Sequence, residues 1–596
     1  MLGFNRGVSC GQHWTQVVLI LFALSVTFAL LDARFRWDLE ISKSFKHSNT
    51  AHNTSHGASL PPLSSPITSE TRLNIRLHPE DHATREPTTL SFSWRITSAL
   101  QTPDGVEKLI YLINGQFPGP TIEARSGDRL VIEIENALDE PDTAIHWHGL
   151  QMRDANVMDG AVGITQASIA PGKTFTYNFT IAPSEHGTFW YHAHDHVQRA
   201  DGLYGGLVVH QPLSHERRRG GGSSVPCEQL LLIGDWYHRP AEEVSSTYMS
   251  SGSFGNEPVP DSLLINGRGA YDCSMAVPAR PIKCSYVERS TLSLSTTGKT
   301  KLRIVNVGSF AGIEVDLADF SMDLTAVDGG HQVTATEAAQ AGKLVWPGQR
   351  ADFVISPSSS AADSHNLTIT LNHENFKYDN PALRSKHEFA IQYDISHKTL
   401  SSSNRQMKEV TARTDQRQDS PALKVDKTIV LYSKTLKLSH LANVPHGFIN
   451  HTSWAPQGSP LIMLDRTQWN ENQLVPHIPY NKSRPLWVDI VLNNLDEDSH
   501  SWHLHGYSFY VVAYHSADFG WGSYNPYVDL ELPGGPLNLI DPPVRDTVYV
   551  PRRGYVVLRF RADNPGIWMF HCHMLWHQAS GMALALEVED GSLQPY

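Results

Sequence analysis

The feature that most constrains this chain is a pair of histidine motifs that occurs twice. His146-Trp147-His148-Gly149 is followed by Gly187-Thr188-Phe189-Trp190-Tyr191-His192-Ala193-His194. Far downstream, His503-Leu504-His505-Gly506 is followed by Gly566-Ile567-Trp568-Met569-Phe570-His571-Cys572-His573. In both copies a glycine stands five residues before the second H-x-H, and another, Gly202 or Gly581, stands eight residues after it. Agreement at so many fixed offsets marks the two stretches as copies of one structural unit. Alternate residues of a strand point to the same face, so an H-x-H on a strand aims two imidazoles at one place. His146, His148, His192, His194, His503, His505, His571 and His573 then make an eight-imidazole set without a carboxylate. Such a set suits copper or zinc rather than magnesium or calcium. A lone H-x-H is usually surface or core histidine, but four in a repeated frame are not.

The surrounding chain reads as β structure. Leu130, Ile132 and Ile134 alternate with Val131, Glu133 and Glu135, and Met582, Leu584, Leu586 and Val588 alternate with Ala583, Ala585, Glu587 and Glu589. Period two over such runs is the signature of half-buried strands, and helical periodicity is scarce. The fold class is all-β, sandwich or barrel. A length of 596 residues calls for several domains. Two polar stretches, Ser214–Ser224 and Lys398–Ala422, read as linkers and leave domains at 86–213, 225–397 and 423–592, each sized for one β-sandwich. The first and third carry the motifs and the middle one carries none. Residues 36–85, rich in Ser, Thr, His and Pro, read as a disordered stalk.

Within residues 1–35, the apolar run Val17–Leu31 follows Arg6 and precedes Arg34 and Arg36. It is a signal peptide or an uncleaved signal anchor, so residues 17–31 are a candidate membrane tether. Either way the rest enters the secretory route, to end outside the cell, in the wall, or anchored with its catalytic part outside the cytosol. The sequons at Asn53, Asn178, Asn366, Asn450 and Asn481 agree with a glycoprotein. Of five cysteines, Cys10 precedes the apolar run and Cys572 lies between histidines; Cys273 and Cys284 are the expected disulfide, with Cys227 left over. A net charge of −13 argues against a nucleic-acid partner.

The third domain adds His500, three residues before His503, and His577, five after Cys572, with Met582 ten after Cys572. Two imidazoles, a thiolate and a long axial methionine make a trigonal blue-copper site. Laying the first copy on the third puts Thr143 at His500, Ala193 at Cys572, Gln198 at His577 and Leu203 at Met582. Every ligand of the single-ion site is missing from the first copy, while all four H-x-H pairs remain. One blue site is expected in the third domain, and one cluster between the first and third.

The motifs HWHG, HAH, HSWHLHG and HCHMLWHQASGM, with DGAVGITQ, FWYHAH, QRADGL, GDWYH and PDSLLINGRG, resemble the multicopper oxidases of the fungal laccase family over roughly residues 88 to 590. The resemblance implies three cupredoxin-like Greek-key β-sandwich domains and four copper ions, one type 1, one type 2 and two type 3. Type 1 copper would be held by His500, Cys572, His577 and axial Met582, and type 2 by His146 and His503. One type 3 ion would take His148, His192 and His573, the other His194, His505 and His571. Cys572, bonded through the backbone to His571 and His573, would be the electron path. His500 or His577 would meet a small reducing donor of the phenolic class, while O₂ is reduced to water. Asp159, where the family carries an acid, would deliver protons. A monomer is expected, and pigment or secondary-metabolite oxidation is suggested by analogy.

Departures qualify this reading. Leu575 replaces an acid, Ala167 replaces a disulfide cysteine, and the thioether of Met582 implies a modest potential that favours easily oxidised phenols. The rivals are an Fe(II) ferroxidase using Asp496, Glu497 and Asp498, an ascorbate oxidase, and a non-catalytic extracellular copper-binding protein. Asp235, His238, Trp521 and Tyr524 are candidates to line the donor pocket.

Overall fold

The computed structural model describes residues 73–212 and 227–589, apart from 289, 296–298, 319, 335–336, 338–343, 358–365, 395–420, 518 and 521. The apolar run 17–31, Cys10, the Asn53 sequon, Trp521, the first linker and nearly all of the second lie outside the described residues. Among the described residues no helix is long and apolar enough to cross a membrane.

The strands form six sheets that pack as three sandwiches, as an all-β pattern requires. In the first, a four-stranded sheet around Thr89–Gln101 and Arg129–Asn136 faces one made of Gly119–Arg125, Tyr204–His210, Gly187–Ala193 and Ile145–His148. The middle sandwich joins a seven-stranded sheet around Cys227–Trp236 to a five-stranded one. In the third, a six-stranded sheet faces one ordered His477–Pro479, Ala583–Glu589, Gly566–Cys572, His500–Leu504 and Thr547–Val550. Leu231, Ile304 and Phe353 meet Leu292, Ile313 and Ile369 in the middle core.

The first histidine of each motif lies on a strand, at matching registers, and so does His148, whereas His194, His505 and His573 stand one residue past their strand ends. Ile145–His148 pairs antiparallel with Gly187–Ala193, opposing His146 to His192. His500–Leu504 pairs antiparallel with Gly566–Cys572, opposing His503 to His571. Period two explains the division of labour. Trp147, Tyr191, Trp502 and Phe570, between or beside the histidines, belong to the main hydrophobic core, and the imidazoles take the other face.

The stalk expectation fails for residues 73–85. Ile75–Leu77 pairs antiparallel with the middle sheet, Ile75 opposite Leu230 and Leu77 opposite Glu228, and Pro79–Ala83 is a short helix with proline in its first turn. The polar composition hid a period-two signal: Leu73 and Leu77 are 1% and 2% exposed. Cys273 and Cys284 form the expected disulfide, and Cys227 and Cys572 are free thiols.

Candidate metal centre

All eight paired histidines converge, each nearly or fully buried. The two copies interleave: His146 stacks on His505 with ring centroids 3.8 Å apart, and His148 on His503 at 3.7 Å. His192 meets His573 edge-on at 5.3 Å, and His194 meets His571 at 5.3 Å. The donor atoms of His146, His148 and His192 lie within 4.8 Å of one another, as do those of His146, His503 and His505 and those of His194, His505 and His571.

Hydrogen bonding fixes which nitrogen is free. Nδ1 of His146 donates to the Asp159 carbonyl at 2.8 Å, Nδ1 of His192 to the Ala193 carbonyl at 2.9 Å, and Nδ1 of His503 to the Asp546 carbonyl at 2.9 Å. Nδ1 of His571 donates to the Cys572 carbonyl at 3.0 Å, and Nδ1 of His505 to the Asp159 carboxylate at 2.8 Å. A ring nitrogen that donates carries the proton, so its partner is a bare lone pair, the arrangement a metal-ligating histidine needs. Nε2 of His146, His192, His194 and His503, and Nδ1 of His148, are buried without a partner. Nε2 of His505 and of His571 stand 3.2 Å apart, both bare by the same logic. So many unpaired buried acceptors are unfavourable unless a cation gathers them, and an all-imidazole donor set fits copper. Burial and mutual repulsion hold His148, His192, His194, His571 and His573 well below the usual imidazole range, which keeps them neutral.

His573 is the exception. Arg199 Nη1 lies 2.9 and 3.0 Å from its two ring nitrogens, while Nη2 donates to its carbonyl at 2.9 Å. The buried Arg199 was not legible as a neighbour, because it lies 374 residues away in sequence.

The second cluster is a triangle. Nδ1 of His500 and Nδ1 of His577 each lie 3.6 Å from Cys572 Sγ and 3.0 Å from each other, and all three residues are fully buried. Burial pushes the thiol up, but the two imidazoles outweigh it and bring Cys572 down to about 6. Against burial, Asp496 and Cys572 bring His500 up to about 9. Met582 is buried on the neighbouring strand end; its carbonyl accepts from the Cys572 amide at 3.0 Å and its amide donates to the His577 carbonyl at 3.0 Å.

The outer nitrogens of this triangle meet acids. His500 Nε2 is 3.1 Å from Asp496 Oδ2, and His577 Nε2 is 3.2 Å from Glu257 Oε1. Glu257 was missed: it sits in an irregular stretch of the middle sandwich, 320 residues from His577, with no motif to flag it. Its Oε2 is buried without a partner. Asp159 is fully buried, and His505 and His146 hold its carboxyl well below the usual range although burial pushes it up.

The middle sandwich walls the cluster. Gly348, at φ +89°, lies so close that a Cβ would sit 2.9 Å from the His573 ring and 3.1 Å from that of His148. Arg350 donates to the Thr188 carbonyl of the first sandwich at 3.1 Å and to Asp546 of the third at 2.7 and 2.5 Å. Two candidate pocket residues have their contacts elsewhere, and the third, Asp235, holds the loop whose Phe310 ring packs edge-on against His577. His238 pairs with Asp104 at 2.8 Å, Tyr524 packs on Tyr555, and Asp235 accepts the amides of Ser309, Phe310 and Ala311.

Comparison with known proteins identifies the family and the fold. Three models of the multicopper oxidase family match residues 95–214, 228–388 and 434–592. The chain is 29% identical to Laccase-2 of Cryptococcus neoformans var. grubii, over 85% of this chain and 86% of that protein. It is 30% identical to the iron transport multicopper oxidase FET3 of Gibberella zeae, over 84% of this chain and 76% of that protein. The fold matches the crystal structure of Botrytis aclada laccase with a TM-score of 0.68 at 24% identity, covering 89% of this chain and 94% of that one.

Proposed function

This chain belongs to the multicopper oxidase family, a copper oxidoreductase with O₂ as acceptor, and on that premise we propose that it is a laccase-like oxidase of small phenolic donors. Four copper ions, when bound, supply one-electron acceptance at one site and four-electron reduction of O₂ to water at the other. We assign the single-ion site to His500, Cys572, His577 and Met582, which would hold that ion, and the cluster to His146, His148, His192, His194, His503, His505, His571 and His573. The three sandwich units are assigned to 86–213, 225–397 and 423–592, with Ile75–Leu77 added to the middle one.

The observation that carries the phenol reading is Glu257. Its Oε1 holds His577 while its buried Oε2 has no partner. One free carboxylate oxygen beside the entry imidazole suits a donor with one proton to give up as its electron leaves. The acids that an iron site would draw on are engaged. Asp496 accepts the Thr435 amide at 2.9 and 3.0 Å besides holding His500, Asp498 pairs with Lys377 and Glu497 with Arg553. A ferroxidase remains the second reading, because both entry histidines carry a carboxylate. Asp159 orients His505 and His146 through its carboxylate and carbonyl, and serves proton delivery to the O₂ side.

O₂ uptake with a panel of diphenols, ascorbate and Fe(II) tests the proposal. Diphenols are expected to show the highest kcat/KM, and Glu257→Gln is expected to lower that value about ten- to a hundredfold for phenols. Faster turnover of Fe(II) than of any phenol by the native enzyme overturns the phenol assignment.

A further inference from the structure

Away from the copper core, a second set of metal-compatible side chains gathers where the helix Pro79–Ala83 meets the paired strands Gly119–Arg125 and Tyr204–His210. His78 and His82 are four residues apart and straddle the helix on one side. Glu123 and His210 come from adjacent parallel strands. The donor atoms of His82, Glu123 and His210 lie within 4.8 Å of one another, the same span that encloses the histidine sets of the core. His78 joins them: its Nδ1 is 3.0 Å from Glu123 Oε1, and its amide donates to Oε2 at 2.7 Å. His210 Nε2 is 2.8 Å from the same Oε2, and the His82 and His210 rings stack at 5.1 Å.

We propose that His78, His82, Glu123 and His210 form a zinc-binding site, distinct from the copper centres, that clamps this helix to the first sandwich. Three imidazoles and one carboxylate are a nitrogen- and oxygen-rich set that Zn²⁺ takes in tetrahedral form, at about 2.0–2.2 Å from each donor. The carboxylate is ready for it. Although burial pushes Glu123 up, hydrogen bonds from His210 and His78 bring it down to about 2, so it is ionised at neutral pH. His82 lies below the usual imidazole range through burial and the neighbouring His210, so it offers a lone pair rather than a charge.

Hydrogen bonds within the group join Glu123, His78 and His210, and His82 is held beside them from outside, by Arg85 and by its stack on His210. The His82 ring turns into the group without bonding the carboxylate, and its Nδ1 accepts from Arg85 Nη2 at 3.0 Å. Zinc ligation exchanges that bond for a coordinate bond. Arg85 keeps its two-pronged pairing with Asp128, at 2.7 and 2.5 Å, which neutralises its charge beside the site. Each liganding imidazole is neutral when bound, so affinity falls as pH drops below about 6.5.

The test uses the full-length holoenzyme carrying four coppers, incubated with micromolar ZnCl₂, separated from free ion by gel filtration and counted by mass spectrometry. One zinc per chain is expected beyond the four coppers. His210→Ala is expected to abolish it, and His82→Gln, at a half-buried position that tolerates the change, is expected to weaken it by roughly tenfold or more, both with blue absorbance and O₂ uptake unchanged. Absence of zinc from the native holoenzyme, or undiminished zinc in both His82→Gln and Glu123→Gln, overturns the site. A fifth copper in place of zinc, lost in the same variants, upholds the site and overturns the choice of ion.

Discussion

The first and third sandwiches are built on one frame and differ in what fills a single pocket. In the third, His500, Cys572 and His577 meet in a buried triangle. In the first, the equivalent Thr143 and Gln198 are also buried, and they still face each other: Thr143 Oγ1 donates to Gln198 Oε1 at 2.8 Å. Gln198 in turn donates to the Asp142 carbonyl at 2.7 Å. Ala193 and Leu203, the counterparts of Cys572 and Met582, are buried apolar residues. The pocket therefore persists in the first copy as a neutral, self-satisfied hydrogen bond. Its geometry belongs to the frame, and its chemistry belongs to four side chains.

The sharpest break in this comparison is Cys572→Ser. The first sandwich has no thiolate to replace it, so blue absorbance is expected to vanish and O₂ uptake to fall by about a thousandfold or more, roughly 4 kcal/mol in barrier terms. Retained uptake would mean that electrons enter through the first copy or by another route.

Gly348→Ala asks whether the middle sandwich shapes the shared cluster. Its added methyl meets the His573 and His148 rings at about van der Waals overlap, on a backbone at φ +89° that disfavours any side chain. Turnover is expected to drop about ten- to a hundredfold while the blue absorbance of the third sandwich stays. Loss of both signals together would show that the two sites do not vary independently.

Removal of copper exposes a pH contrast. In the metal-free fold the cluster histidines His148, His192, His194, His571 and His573 sit well below their unfolded value near 6.5. The folded state then binds fewer protons than the unfolded one, so their contribution is intact above about pH 6.5 and is lost as pH falls, by up to about 1.4 kcal/mol per pH unit per histidine. His500 is displaced the other way, to about 9, so its contribution is intact below about 6.5 and is lost as pH rises through 9. Thermal melts of apo protein from pH 8 to 5 are expected to show a steep fall in Tm below 6.5 that the copper-loaded enzyme lacks. An apo Tm that is flat over this range would contradict the buried neutral cluster.

The smallest effect is expected of Thr143→Val. It removes the hydrogen bond that fills the unused pocket and leaves Gln198 Oε1 unpaired, at about 1–2 kcal/mol of stability, read by denaturant melts. Copper content and turnover are expected to stay unchanged, and a loss of either would give the first copy's pocket a role in the chemistry.

Much of this was legible because period two and the repeat act locally. The convergence of the four H-x-H pairs and the Cys273–Cys284 disulfide follow from spacing alone. What escaped is long-range. Glu257, Arg199 and Gly348 reach the metal centres from stretches whose local pattern says nothing, because only the packing of three sandwiches brings them there. Residues 73–85 escaped for the opposite reason: a two-leucine signal was diluted by polar neighbours, and the strand it needs for pairing begins at Cys227. The group of His78, His82, Glu123 and His210 escaped as well, because its members come from three stretches far apart in the chain.

Arg350 has a consequence for timing. It ties Thr188, Asp328 and Asp546 into one knot, and His148 lies 399 residues from the Thr547 hydroxyl it touches. During synthesis the first sandwich is complete long before the chain that closes its histidine face exists. Its four imidazoles must wait as an open half-socket. Unlike small domains that fold around their ion, this architecture makes metal loading a late event, after the last strand has been delivered.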